Sequence, residues 1–447
     1  MAVEVGRTYS FGGDRDVTKY EVVEELNGGG FGRVFVARRQ FFGLTMGDAI
    51  LKVPVKLSAD GLARFEREAT LMANVNHPNV ARVLSYYPGT EEREPVLVQE
   101  RVPDARQIDD LIVGTPDEIH NLEVLPSLYL QALYALDAIH DANIVHRDVT
   151  LGNTLVGSDG RLKLIDFGLS CDAASDRSRM TKTGTILGTV GFIAPELLQD
   201  PKSVDHRADF FSLGKVLCCV LCGHLAQYVS WHEVDVEPWK EITRLLSDNN
   251  REKRYATARE AIEHGMDLIL AHDLAIPTAS LDHHNACLDM ISERAHPTTT
   301  IPWPAAWPRL MHRAIAGPLT WDKVDALATL PIGLLTPHDV EAIINEARLT
   351  GPLRQALDAR IPFELVDPLA TMLHRLFLLC QTQSLYHCFG ALVILAVKYH
   401  RFMAMGLVRQ CFDVAFDPDM SRRMTEILDV HDPHKVIEGR GRVPGRD

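Results

Sequence analysis

The sequence predicts an α+β chain in which strands dominate the beginning and helices the remainder. Three observations carry that expectation. Strand-like runs fall at residues 20–25, 48–53 and 95–102, while helical spacing of apolar residues starts at 62–75 and strengthens at 127–143 and from residue 369. Between these regions, residues 144–168 place two carboxylates and an amide on neighbouring loops.

Those loops read Ile144-Val145-His146-Arg147-Asp148-Val149-Thr150-Leu151-Gly152-Asn153 and Leu164-Ile165-Asp166-Phe167-Gly168. Carboxylate and amide oxygens are hard ligands suited to Mg²⁺, and a second carboxylate can orient a hydroxyl and accept its proton. A lone Asp-Phe-Gly reads as an ordinary loop. Both runs, in this order and spacing, resemble the catalytic and metal loops of protein kinases through His-Arg-Asp, the downstream Asn and Asp-Phe-Gly. The resemblance implies the bilobal protein-kinase fold, with a small β-rich lobe, a larger α-helical lobe, and ATP with Mg²⁺ (Mn²⁺ as the alternative ion) between them. It assigns Asn153 and Asp166 to the metal and Asp148 to the acceptor hydroxyl.

Taken in order, residues 1–19 read as a short polar lead-in. After the strand at 20–25 comes Leu26-Asn27-Gly28-Gly29-Gly30-Phe31-Gly32-Arg33-Val34. Glycines admit a phosphate close to the backbone, although a hairpin turn explains such a run equally well. In the kinase pattern Gly-x-Gly-x-x-Gly-x-Val, Gly29 and Gly32 fill the second and third glycine positions. Asn27 stands at the first with Gly28 beside it, and Gly30 and Phe31 complete the loop. Lys52, in the apolar strand 48–53, resembles the lysine that holds the α- and β-phosphates. Its partner is expected on helix 62–75, where Phe65, Ala69, Met72 and Val75 keep helical spacing. Glu68, nine residues before His77-Pro78-Asn79-Val80, is preferred to Glu66. The strand at 95–102 resembles the one entering the hinge, with Gln99 as gatekeeper and the backbone of Glu100 and Val102 at the adenine edge. Val34, Ala49 and Leu155 would line an apolar adenine slot.

In the larger lobe, Tyr129, Leu133, Leu136 and Ile139 form a stripe on helix 127–143. Arg147 resembles the arginine that meets a phosphate on the activation segment. Thr150 stands where most Ser/Thr kinases carry Lys, which removes one positive charge and reads as a modifier of turnover. Residues 169–193 take the place of the activation segment, with Thr181, Thr183 and Thr185 as autophosphorylation candidates. Gly188-Thr189-Val190-Gly191-Phe192-Ile193-Ala194-Pro195-Glu196 is similar to the Ser/Thr-kinase segment ending in Ala-Pro-Glu, which implies a protein substrate with a Ser/Thr acceptor. Asp209 matches the aspartate that braces the catalytic loop, and Arg254 the arginine that pairs with Glu196. Only 45 residues separate Asp209 from Arg254, so a substrate-facing helix between 225 and 237 is expected to be reduced. Cys218, Cys219 and Cys222 read as packing residues of an apolar helix rather than a metal site.

The resemblance covers residues 20–265, divided at 102 and 103, after an extension at 1–19. Residues 266–447 carry no catalytic motif and read as an all-α C-terminal domain, with a stripe at Leu369, Met372, Leu373, Leu376, Phe377 and Cys380. His272, His283, His284, Cys287 and His296 fit no tetrahedral metal spacing. Trp303, Pro304, Trp307 and Pro308 read as a linker anchored to a helix start, and the tail 438–447 as disordered.

Composition agrees with a globular chain: 447 residues, 46% hydrophobic, 24% charged, net charge −14. No basic stripe suggests nucleic-acid binding. Eight Cys without a regular framework suggest a reducing, cytoplasmic setting. No signal peptide is readable at the start. The longest apolar run, residues 389–397, is nine residues, too short to span a bilayer. The expected function is a soluble, bacterial-type Ser/Thr protein kinase that transfers the γ-phosphoryl group to protein hydroxyls and to itself. The alternative is a pseudokinase or scaffold whose C-terminal domain binds a partner, favoured by Asn27 and Thr150. A third reading, a small-molecule kinase, is opposed by Ala194-Pro195-Glu196.

Overall fold

A computed structural model describes residues 3–11, 17–26, 32–54, 59–90, 93–114, 124–167, 171–172, 191–199, 205–223, 229–295, 304, 306–315, 320–329, 340, 343–344, 351–358, 361–380, 384–399, 402–414 and 418–430. The chain divides into two units, Met1–Leu274 with Cys287–Pro304, and Ala275–Ala286 with Ala305–Asp447.

The first unit begins with strands β1 (Thr8–Tyr9), β2 (Thr18–Leu26), β3 (Gly32–Phe41) and β4 (Leu44–Pro54), then helix α1 (Ala59–Ala73), β5 (Val83–Tyr87) and β6 (Val96–Glu100). The strands make one sheet in the order β1-β2-β3-β4-β6-β5. Period-two burial of Val22, Phe35, Ala37, Ala49, Leu51, Val53, Val96 and Val98 supplies its core. Gly32 lies so close to β4 that a Cβ there would come within 2.8 Å of the Val53 carbonyl oxygen.

The opening residues correct one expectation. Instead of forming a polar lead-in, Val3, Tyr9 and Phe11 are buried in the sheet core. The Phe11 ring lies 5.6 Å from Tyr20 and 5.4 Å from Tyr87, and Arg93 donates to the Phe11 carbonyl. Three widely spaced apolar residues show no periodicity in sequence, yet all three join the buried cluster of the sheet.

The unit continues through β7 (Arg106–Gln107), α2 (Ile108–Gly114), α3 (Leu125–Asp141), β8 (Ile144–Val145), β9 (Thr154–Val156), β10 (Leu162–Leu164), β11 (Cys171–Asp172), α4 (Pro195–Gln199), α5 (Arg207–Cys222), α6 (Trp239–Ser247) and α7 (Ala258–Ala271). Helix α3 is buried from Leu125 to Ile139, so the expected stripe widens to the whole circumference. Gly214 on α5 permits close contact with α6, since a Cβ there would meet the Ser247 Cβ at 2.8 Å. Cys218 and Cys219 are buried free thiols on α5, pushed up by burial to about 12 and about 11. Within 225–237, the described residues hold one 3-10 turn, Trp231–Glu233.

Helix α8 (Leu281–Ala295) starts in the second unit and ends in the first. In the first unit its Arg294 lies 3.2 Å from Asp137 of α3, and the Cys287 thiol faces Asn79 at 3.4 Å.

The second unit contains α9 (Trp307–Ile315), α10 (Trp321–Thr329), α11 (Gly351–Asp358), α12 (Phe363–Leu379), α13 (Leu385–Tyr399), α14 (Phe402–Asp413) and α15 (Pro418–Val430). The α12 stripe Leu369, Met372, Leu373, Leu376 and Phe377 is buried. A helix starts at Trp307, whose indole donates to Asn285 at 3.0 Å. His283 and His284 are packed inside; burial, with His283 adjacent, pushes the His284 imidazole down to about 3. Trp303, His296 and residues 438–447 lie outside the described residues. Among the described residues, no helix is long and apolar enough to cross a membrane.

Candidate active site

A short hairpin brings the two acidic loops together. Strands β9 and β10 pair antiparallel with Thr154 opposite Leu164. Extending that register by one residue places Asn153 beside Ile165, whose N–H donates to the Asn153 carbonyl at 3.0 Å. Asp166 is the next residue. It sits at φ +64, in the left-handed region that non-glycine residues seldom occupy.

Lys52 reaches this loop from the sheet. Its ammonium lies 2.5 Å from the Glu68 carboxylate on α1 and 2.9 Å from Asp166. Burial would depress the Lys52 pKa, but the two carboxylates outweigh it and hold the pKa above its ordinary value. Glu68 is desolvated and shares that one ammonium with Asp166, so its carboxyl is pushed up despite the ion pair. Glu68, and not Glu66, is therefore the residue that meets Lys52.

The catalytic loop is held from below. Buried Asp209 on α5 accepts from the His146 N–H at 2.9 Å and the Arg147 N–H at 2.7 Å, and contacts His140 Nε2 at 2.8 Å. These bonds clamp Arg147 at φ +65. Asn153 Nδ2 donates to both the Asp148 carboxylate, at 2.8 Å, and the Asp148 carbonyl, at 2.9 Å. Thr150 is a turn residue here: its hydroxyl accepts from the Asn153 N–H at 3.2 Å, and its carbonyl accepts from the Thr154 hydroxyl at 2.8 Å. The substitution that removes a cation thus also fastens the loop carrying Asn153.

Burial alone would raise the Asp209 carboxyl, but His140, His146 and the Arg147 N–H reverse this and hold it below its ordinary value. A depressed carboxylate contributes stability that is present above its unfolded pKa of about 4 and is lost as pH falls through the folded value. Asp209→Asn is expected to destabilise by about 2 kcal/mol near neutral pH, a gap that narrows below about pH 4. Urea titrations across that range measure it; a gap independent of pH would contradict the assignment.

Along the hinge strand, Gln99 is buried with its amide 3.1 Å from Met72 Sδ. Ala49 is buried, while Val34 and Leu155 are partly exposed. Three hinge contacts were not foreseen. The Glu100 carboxylate accepts from Lys163 Nζ at 2.6 Å and from the Arg82 N–H at 2.9 Å, and Arg101 pairs with Asp48. A lysine between two buried leucines of β10 was the available sign. Val102 follows this anchored pair, where a Cβ added at Gly157 would touch its side chain at 3.6 Å.

The structure thus gathers Lys52, Glu68, Asp148, Asn153 and Asp166, and sets Gly32, Val34, Ala49, Gln99, Glu100, Val102 and Leu155 on the strands and connections described. Asn27, Gly28, Gly29, Gly30, Phe31, Gly168, Thr181, Thr183, Thr185 and Thr189 lie outside the described residues. The expected Arg254–Glu196 ion pair is present and bidentate, at 2.6 and 2.9 Å.

The cleft fits a nucleotide with a divalent cation on the chemistry of its donors. One ammonium serves two carboxylates, and a third carboxyl, Asp148, is pushed up first by burial and further by Asp166, against His146 and Asn153. The surplus negative charge and oxygen-only donor set suit a hard divalent cation.

The model of the protein kinase domain family matches residues 20–275. The chain is 28% identical over 316 residues to the probable serine/threonine-protein kinase PknB of Bifidobacterium longum, covering 63% of this chain and 44% of that protein. It is 32% identical over 236 residues to serine/threonine-protein kinase PknL of Mycobacterium tuberculosis, covering 48% and 56%. It is 33% identical over 214 residues to serine/threonine-protein kinase pkn2 of Myxococcus xanthus, covering 46% and 25%. The chain therefore spans about half or less of the length of these relatives. Family membership implies ATP and a divalent metal ion. With Lys52 joined to Glu68 and Asp166, Asp148 tied to Asn153, and the family model matched across both lobes, the chain belongs to the protein kinase family.

Proposed function

We propose that this chain is a Ser/Thr protein kinase that uses ATP with Mg²⁺ to phosphorylate protein hydroxyls, its own activation segment included. The observation that carries the reading is the Lys52 ammonium held between Glu68 and Asp166, at 2.5 and 2.9 Å. ATP with its cation supplies the transferable γ-phosphoryl group. Val34, Ala49 and Leu155 enclose the base, and the backbone of Glu100 and Val102 meets its edge. Lys52, kept in place by Glu68, binds phosphate oxygens. Asp166 and Asn153 offer oxygens to Mg²⁺, with Mn²⁺ as the alternative ion. Asp148, oriented by the Asn153 amide, takes the proton of the attacking hydroxyl. Residues 266–447 are proposed to bind a partner, and the setting to be cytoplasmic.

The test is labelled ATP supplied to the full chain and to its Asp148→Asn variant with Mg²⁺ or Mn²⁺. Label on Ser or Thr of the chain or an added protein, lost in the variant, is the expected result. Nucleotide binding without turnover under either ion would make the protein a pseudokinase, and label on metabolites alone would make it a small-molecule kinase.

A further inference from the structure

The tip of the β3–β4 hairpin is apolar where solvent contact favours polar residues. Phe41 is 43% exposed, Phe42 72%, Leu44 69% and Met46 51%. Phe41 pairs with Leu44, leaving Phe42 and Gly43 as a two-residue turn with φ values of +48 and +80. Such a turn favours Asn, Asp or Gly at its first position, because a bulky side chain is strained at positive φ. Phe42 therefore opposes folding twice, through its backbone and through its exposure. An outlier of this kind points to a role outside the fold. The ring is also held ready: Phe41 and Phe42 pack edge to face with centroids 4.8 Å apart.

Charge surrounds the tip. Lys19 lies opposite Gln40, next to the pair Thr18 and Phe41, and Arg39 is two residues before Phe41. Arg38 is neutralised by Glu21 at 3.2 Å, and Asp48 by Arg101. Among the described residues, Lys19 and Arg39 are in no ion pair, so the described part of the collar carries positive charge although the chain is acidic overall.

We propose that this hairpin docks on an anionic lipid surface, with Phe41, Phe42, Leu44 and Met46 entering the interface and Lys19 and Arg39 facing the headgroups. A convex tip of four side chains is too small for a stable pairing of proteins, which needs roughly 1,200 Å² or more in total. It suits shallow insertion, where aromatic and apolar groups partition at the headgroup boundary and basic residues add attraction.

The test is co-sedimentation of the full chain with vesicles of phosphatidylcholine alone and of phosphatidylcholine with phosphatidylglycerol. Binding is expected to the anionic vesicles, to weaken with salt, and to fall about tenfold in Phe42→Asn and in the double variant Lys19→Glu, Arg39→Glu. Phe42→Asn should melt at or above the wild-type temperature, since Asn-Gly suits the turn, which separates lost docking from lost folding. Absence of binding to anionic vesicles, or unchanged binding by Phe42→Asn, overturns the proposal. A concentration-dependent dimer that Phe42→Asn abolishes, without lipid binding, overturns it in favour of a second copy of the chain.

Discussion

Asp166→Asn is expected to lower phosphoryl transfer by about three orders of magnitude while leaving the fold intact. The substitution keeps shape and removes the charge. Asn tolerates the left-handed backbone that Asp166 adopts at φ +64, so the loop is not forced to move. Lys52 retains Glu68 at 2.5 Å, and the Asp166 side chain is 31% exposed, so no buried charge is left unpaired. What disappears is the anionic oxygen proposed to hold the divalent cation, in a cleft where such charge acts with little screening. Turnover of labelled ATP and the melting temperature, measured together, decide it. A melting temperature within about 2 °C of wild type with activity lost is expected; activity retained within about tenfold would mean that the cation is held elsewhere.

Arg254→Ala is expected to give the largest loss of stability, about 3–5 kcal/mol. The Arg254 side chain has no solvent exposure and Glu196 has 13%. Besides the bidentate pair, the guanidinium donates to the carbonyls of Asp248 at 2.7 Å and Arg207 at 3.0 Å, and lies 5.0 Å from the Phe211 ring centre. Deleting it strands the Glu196 carboxylate and two carbonyls at once, which is costlier than never having placed a charge there. Lysine cannot restore the forked geometry, so Arg254→Lys should recover only part of the loss. Calorimetry should show the transition of the first unit moved down by on the order of 10 °C. A shift of less than about 3 °C would mean that the pair is incidental.

The arrangement of Asp148, Asn153 and Asp166 was readable because their separation is short and a hairpin joins them. Lys52 and Glu68 were readable from their positions in an apolar strand and on an adjacent helix, although the contact with Asp166 spans 114 residues. Contacts without a local pattern were hidden. The Glu100–Lys163 bridge joins residues 63 apart, and neither side chain repeats in any period. The inward packing of Val3, Tyr9 and Phe11 rests on a strand of two residues, too short for alternation to register. Thr150 was legible as a missing cation but not as a support for Asn153, since a hydroxyl's partner depends on the turn.

The path of α8 bears on where a catalytic fragment is cut. Asp137, buried on α3, is contacted by Arg259 at 3.3 Å and by Arg294 at 3.2 Å. A fragment ending at residue 275, where the family match stops, would omit the second guanidinium and uncover the surface beneath Cys287. Its inactivity would then report a missing buttress and not a regulatory tail.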